Sequence, residues 1–195
     1  VTGVQTCALP ISVNELYLQF LNNTDKEVMY EPLKGYDRKP FVGILVLINS
    51  YNYFIPLTSA KPKHAKWKNR DKGHFLIYRI ISKDRVKSAY ITKPFSEDKD
   101  IQILASLELK KMIPVPEGQY VKKIFKEEAD KKYKKLLMDE YAFCLSIKDD
   151  ILEKAEKLYN EQKELGKVMP LYCNFALLEK ACDEYGKTEY GRELL

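Results

Sequence analysis

Two apolar runs, Phe41–Ile48 and Tyr51–Leu57, lie close together in the first third of the chain, with only Asn49-Ser50 between them. Short runs rich in Val, Ile, Tyr and Phe predict strands, and a two-residue break led by Asn predicts a hairpin turn. His74–Ile81 predicts a third strand with Phe75, Ile77 and Arg79 toward one face. Val86–Ile91 and Ile101–Leu104 carry weaker strand patterns, and Leu107–Val115 carries another that ends among Pro114 and Pro116. Ahead of the hairpin, apolar residues at 16, 17, 18, 20 and 21 predict a short helix beneath the sheet. A polar turn region follows from Glu31 to Pro40, punctuated by Pro32, Gly35 and Pro40.

After Gly118 the period changes. Tyr133, Leu136, Leu137, Met138, Tyr141 and Cys144 fall at helical spacing, and Ile151, Ala155, Leu158, Tyr159 and Leu165 mark a second helix. Gly166 can close that second helix, and Asn174 can cap a last one that carries Leu177, Leu178, Cys182 and Tyr185 inward as far as Gly186. Strands first and helices afterwards predict an α+β fold: a curved antiparallel sheet covered by helices, with a helical C-terminal third.

The first twelve residues break this pattern. Val1 to Ser12 (VTGVQTCALPIS) holds no charged side chain and does not begin with Met, whereas the rest is dense in Lys, Glu and Tyr. It reads as translated adaptor or vector sequence, so residues 1–12 are set apart as non-native and 13–195 are expected to form one domain. A genuine apolar first strand is the other reading. A length of 195 residues fits one domain, and 45% apolar residues with 14 Tyr and 8 Phe exclude a disordered chain. No run reaches the roughly 18 apolar residues of a membrane-spanning helix, so a soluble, cytoplasmic protein without a membrane partner is expected. Cys7, Cys144, Cys173 and Cys182 show neither CxxC pairing nor a histidine at metal-ligand spacing, which predicts packed, reduced thiols and no bound metal.

Charge is concentrated in one place. Lys61 to Tyr90 holds ten basic and two acidic residues, a local +8 within a chain whose net charge is +5, leaving −3 elsewhere. The densest part, Lys61 to His74, also contains Trp67 and both histidines. Cations interleaved with a planar ring suit a phosphate backbone with stacked bases, and they equally describe a solvated basic loop. The sequence has no GxGxxG, no GxxxxGK[ST], no HExxH and no GxSxG.

What remains is the exit of the second strand, Thr58-Ser59-Ala60-Lys61. Hydroxyls at a turn followed by ammonium groups can hold a phosphate, although such hydroxyls also serve ordinary turn chemistry. A hairpin brings the start of its first strand close to the end of its second, so Tyr36 and Lys39 are expected near Thr58, Ser59 and Lys61. Together these groups would suit phosphodiester cleavage through a ribose 2′-OH without a metal.

The same residues resemble a known family. Lys39-Pro40-Phe41-Val42-Gly43-Ile44, Tyr53-Phe54-Ile55-Pro56-Leu57-Thr58-Ser59-Ala60-Lys61, Lys111-Met112-Ile113-Pro114-Val115 and Cys173-Asn174-Phe175-Ala176-Leu177-Leu178-Glu179 are similar, in order, to the ToxN/AbiQ toxins of type III toxin–antitoxin systems. The resemblance also takes in Tyr17 to Val28 and spans about residues 14–187. It implies a compact Kid/MazF-like sheet core and a metal-independent endoribonuclease, without cofactor, that cuts adenine-rich RNA to 2′,3′-cyclic phosphate and 5′-OH ends. It further implies a repeat antitoxin RNA bound in a closed toxin–RNA oligomer, no protein antitoxin, and a role in phage abortive infection. Carried over, Ser59 is the principal hydroxyl at the reacting phosphate and Thr58 orients it. Lys61 stabilises the oxyanion or protonates the leaving oxygen, and Lys39 and Tyr36 join the active region. Lys63, His64, Lys66, Trp67, Lys68 and Arg70 extend the RNA surface. The chain departs from the family at its first twelve residues, and in a stretch from Ser82 to Ser106 that looks longer than in compact members. A noncatalytic basic RNA-binding module is the alternative.

Overall fold

The computed structural model describes residues 11–30, 42–122 and 128–187. Among them are eight strands, β1 (Ile11–Val13), β2 (Val42–Ile48), β3 (Tyr51–Ser59), β4 (Phe75–Ser82), β5 (Ile91–Pro94), β6 (Lys99–Leu107), β7 (Ile113–Pro114) and β8 (Tyr120–Lys122). Four α-helices join them: α1 (Glu15–Thr24), α2 (Lys131–Ser146), α3 (Lys148–Leu165) and α4 (Phe175–Tyr185). Every strand pairing is antiparallel, in the order β4-β6-β3-β2-β1-β8, with β5 added to β6 and β7 to β3. This is the expected α+β architecture.

The hairpin forms as predicted. Asn49 and Ser50 both take positive φ, 47° and 70°, the backbone that matches the twist of two flanking strands. β2 and β3 then pair from Ile48↔Tyr51 to Gly43↔Pro56. Gly43 is required by close approach, since a Cβ there would lie 2.2 Å from the Ile55 carbonyl oxygen and 2.5 Å from the Phe54 ring.

β3 changes partner along its length. Tyr53 and Phe54 pair with β7, whereas Leu57, Thr58 and Ser59 pair with Leu107, Ser106 and Ala105 of β6. Pro56, which has no N–H to donate, sits at the changeover, and its carbonyl accepts from Glu108 N–H at 2.9 Å. β6 is therefore central to the second half of the sheet. Its register against β4 slips between Ile77↔Ala105 and Tyr78↔Ile103, so Leu104 is an extra residue on β6. This bulge switches which face the next side chains reach. Ile101 and Ile103 join a small cluster with Leu76, while Leu104, Ala105 and Leu107 join the main core.

That main core lies between the sheet and the helices. α1 is capped by Asn14, whose Oδ1 accepts from Leu16 N–H at 2.8 Å, and it buries Tyr17, Leu18 and Leu21. Tyr17 donates its hydroxyl to the Pro114 carbonyl at 2.7 Å and meets Tyr185 of α4 edge-on at 4.9 Å. Gly166 closes α3 with φ 58°, and Asn174 caps α4 by accepting from Leu177 N–H at 3.1 Å, both as predicted. Cys144, Cys173 and Cys182 are free and buried, and burial pushes all three thiols up, Cys144 to about 12. Among the described residues no helix is long and apolar enough to cross a membrane.

Two segments need comment against the sequence reading. Ile11 and Ser12, set apart with the first ten residues, are strand residues paired with Gly43 and Val42 and with Lys122 and Val121. Ile11 is fully buried, and residues 1–10 lie outside the described residues. Leu107–Val115 is not one strand but the end of β6, a single 3₁₀ turn at Leu109–Lys111, and β7.

The Gly43→Ala protein is expected to lose about 1–3 kcal/mol of stability through overpacking. Urea unfolding of the two proteins side by side measures it, and an unchanged midpoint with an unchanged slope contradicts the close approach.

Candidate active site at the end of strand β3

The strand continues further than its sequence pattern predicts. Thr58 and Ser59, expected at a turn, are its last two residues, and Ala60 N–H still reaches the Leu104 carbonyl at 3.3 Å. Lys61 stays extended at φ −129° and ψ 153°. Alternation along this extended stretch therefore separates the groups by face. Thr58, opposite buried Ser106, and Ala60, packed on the small cluster, turn one way; Ser59 and Lys61 turn the other. Ser59 and Lys61 are both exposed, so a hydroxyl and an ammonium project together from one side of the strand end. Thr58 does not share that side. Its hydroxyl lies 3.5 Å from the Ser106 carbonyl, at the long limit of a hydrogen bond.

Behind this pair the basic segment folds as a 3₁₀ turn, Pro62–Lys66, followed by a loop to β4. Its centre is a stack of three rings. Trp67 meets both His64 and His74, with ring centroids 4.5 and 4.4 Å away and planes tilted by 46° and 40°, and also packs on the small cluster. Lys63 and Lys110 bring their ammonium groups to 5.1 and 5.6 Å from the same indole. Lys93 of β5 donates to the Trp67 carbonyl at 2.8 Å, and burial lowers the pKa of its ammonium. Trp67 is thus half-buried and committed to its own protein.

His64 is 1% exposed, which corrects its expected place on an RNA-contacting surface. Its Nδ1 accepts from Lys61 N–H at 3.1 Å, so that nitrogen carries no proton in the folded state. His74, also buried, approaches the Lys68 carbonyl through Nε2 at 3.2 Å; a carbonyl only accepts, so Nε2 bears the proton. Burial holds both imidazoles below the ordinary histidine value. Buried Glu108 opposes that lowering at both rings, with the Lys68 carbonyl and Asp71 also opposing it at His74; Lys63, His74 and Lys61 add to it at His64, and Lys110 adds to it at His74.

The remaining predicted residues spread around this centre. Lys63, Lys66 and Lys68 are exposed and available to an anionic partner. Arg70 is exposed but engaged, 2.7 Å from Asp150 of α3 and over the Phe75 ring at 5.5 Å. A groove of about 420 Å³ runs there between the loop and α3, lined by Lys68, Lys72, Lys154 and Lys157 as well as Asp150 and Glu153. Lys39 and Tyr36 fall outside the described residues. Among the described residues, no three His, Cys, Asp or Glu side chains converge where a metal ion could be held. Sequence reasoning missed Lys93, Glu108 and Lys110 as supports of the ring stack. They sit on or beside strands placed weakly or not at all, and nothing in local spacing links them to Trp67.

Three comparisons bear on this arrangement. The family model described as toxin ToxN of type III toxin–antitoxin systems matches residues 10–183. The endoribonuclease ToxN of Bacillus thuringiensis subsp. kurstaki is 27% identical over 191 residues, covering 93% of this chain and 86% of its own length. Two solved structures share the fold at TM-score 0.69, each covering 92% of this chain and 98% of its own. One, 24% identical, belongs to a type III system in which a non-coding RNA pseudoknot selectively inhibits the toxin. The other, 23% identical, is AbiQ, a lactococcal anti-phage endoribonuclease of such a system.

Trp67 is the one tryptophan of the chain, so its emission reports on the stack. Because an imidazolium quenches an adjacent indole, emission is expected to fall on acidification with a midpoint below 6.5. The step is expected to vanish in a His64→Asn, His74→Asn double variant. Both folded pKa values lie below the unfolded one, so the unfolded chain binds more protons in that window and stability drops as pH falls through it. A flat emission profile, or a midpoint above 6.5, contradicts the buried neutral rings.

Proposed function

The chain belongs to the ToxN family of type III toxin–antitoxin toxins and is an endoribonuclease, and on that premise we propose that it cuts RNA by metal-independent transesterification at Ser59 and Lys61. One observation carries this reading: the exposed hydroxyl and ammonium lie on the same side of an extended strand end that β6 and a buried ring stack hold in place. A phosphodiester seated there receives a hydrogen bond from Ser59 Oγ. Lys61 neutralises the charge that grows on the non-bridging oxygens as the 2′-oxygen attacks phosphorus, and a preorganised cation stabilises that charge without reorganising. The 2′-OH proton passes to solvent water, the bond to the 5′-oxygen breaks, and that oxygen takes up a proton from solvent, leaving a 2′,3′-cyclic phosphate and a 5′-OH. Thr58 pairs with Ser106 and so keeps β3 on β6, and the family resemblance assigns Lys39 and Tyr36 to the same reaction.

Lys63, Lys66 and Lys68, on the loop that follows Lys61, are the groups suited to the flanking backbone phosphates. Arg70 contributes only after giving up Asp150, an exposed pair worth about 0–1 kcal/mol. The substrate is adenine-rich cellular or phage RNA in the cytoplasm. Its inhibitor is a folded repeat RNA that occupies the same surface and closes with the toxin into an RNA–protein oligomer. Freed of that RNA during phage infection, the enzyme halts its own host. The pseudoknot inhibitor and the anti-phage activity reported for two proteins of the same fold support this role.

Incubation of the protein with adenine-rich RNA in EDTA tests the chemistry. Cleavage with cyclic-phosphate ends is expected, lowered roughly 10²–10³-fold by Ser59→Ala or Lys61→Ala, while RNA affinity stays salt-dependent. Cleavage that requires a divalent ion, or that survives both substitutions, contradicts the reading.

A further inference from the structure

We infer that His64 is a positioning residue for Lys61, holding its backbone so that the ammonium leaves the strand in one direction. This deepens the proposed mechanism and rests on Lys61 acting at the phosphate. Two hydrogen bonds link the pair in opposite senses. Lys61 N–H donates to His64 Nδ1 at 3.1 Å, and His64 N–H donates to the Lys61 carbonyl at 2.8 Å. Together they close a small ring around the point where the chain leaves β6, and they fix Lys61 as the first residue beyond the sheet. Without them its last ladder contact would be the Ala60 bond to Leu104, at 3.3 Å.

The imidazole can do this because it is itself held. Trp67 packs against the ring, and its backbone N–H donates to the His64 carbonyl at 3.0 Å; His74 packs against Trp67 in turn; Lys93 ties the Trp67 carbonyl to β5. The charged and titratable groups around His64 are Glu108 at the end of β6, Lys61 and Lys63 on its own turn, and His74 across the stack. A neutral ring here keeps a lone pair on Nδ1 for Lys61. An imidazolium would lose that acceptor and place a third positive charge beside Lys61 and Lys63.

A side chain that only filled space could be replaced by any group of similar volume. A positioning acceptor cannot. Asn puts an oxygen near the place of Nδ1, Gln moves it one bond outward, and Leu fills the volume with no acceptor at all. Loss of the acceptor is expected to lower kcat by about 10²-fold in His64→Leu, in line with the cost of misplacing a catalytic group by roughly 1 Å. KM for RNA is expected to stay near that of the parent, and His64→Asn to recover most of the rate. In a Lys61→Ala background, His64→Leu is expected to cost nothing further, because the two act as one unit. Urea unfolding shows that each variant keeps the fold, and His64→Gln replaces the Leu protein if the latter does not fold. Equal rates for the Asn and Leu (or Gln) proteins would overturn the inference, as would an undiminished penalty for His64→Leu in the Lys61→Ala background. A Lys61→Ala protein as active as the parent would instead remove the mechanism beneath it, and it does so with His64 intact.

Discussion

The antiparallel pairing of Leu57, Thr58 and Ser59 with β6 is the constraint on which the rest of the site depends. It carries β3 beyond Pro56 as an extended strand and so fixes by simple alternation which side chains face outward. Had the chain turned at Leu57, as its pattern of apolar residues predicts, the two hydroxyls would belong to a loop with no preferred face. The bulge at Leu104 belongs to the same device. Its carbonyl takes the last ladder bond from Ala60, and beyond it the same edge of β6 passes to β5, which supplies Lys93 to the ring stack. One extra residue in a central strand thus ends one pairing, begins another and opens the gap through which the basic loop leaves.

How much of this was legible follows from which forces act locally. The β2–β3 hairpin, the Asn14 and Asn174 caps and the Gly166 stop are each set within a few residues, and each is where the pattern puts it. β6 carried only a weak signal because the bulge breaks the period of two: Ile101 and Ile103 point one way, Leu104 and Ala105 into the other cluster. The stretch from Ser82 to Ser106, which carried only two weak strand patterns, holds a 3₁₀ turn at Lys83–Arg85, β5 and most of the central strand β6. The residues at the exit of β3 were named as a neighbourhood, yet the separation of Thr58 from Ser59 and Lys61 by face was invisible until Lys61 was seen to be extended. His64 was misread for a related reason. A histidine within a run of lysines looks solvated, and only tertiary contacts from β4, β5 and β6 bury it.

The basic loop therefore does two jobs with different residues. Its rings and two of its backbone groups are spent inward, on a neutral, desolvated stack that costs conformational freedom once, during folding. Its lysines stay outward and solvated, where long-range attraction to a polyanion works and where no single contact needs to be tight. An active site built only from flexible lysines would bind RNA without aiming at any one phosphorus. Anchoring one lysine on a strand end supplies the aim.

The most direct test is a crystal structure of the protein with an RNA whose reacting 2′-OH is replaced by hydrogen, so that it binds without being cut. The scissile phosphate is expected between Ser59 Oγ and Lys61 Nζ, with Trp67 still packed against both histidines and the RNA bases elsewhere. A scissile phosphate seated instead in the groove beside α3, against Lys154 and Lys157, or a base stacked on a displaced Trp67, would contradict the account.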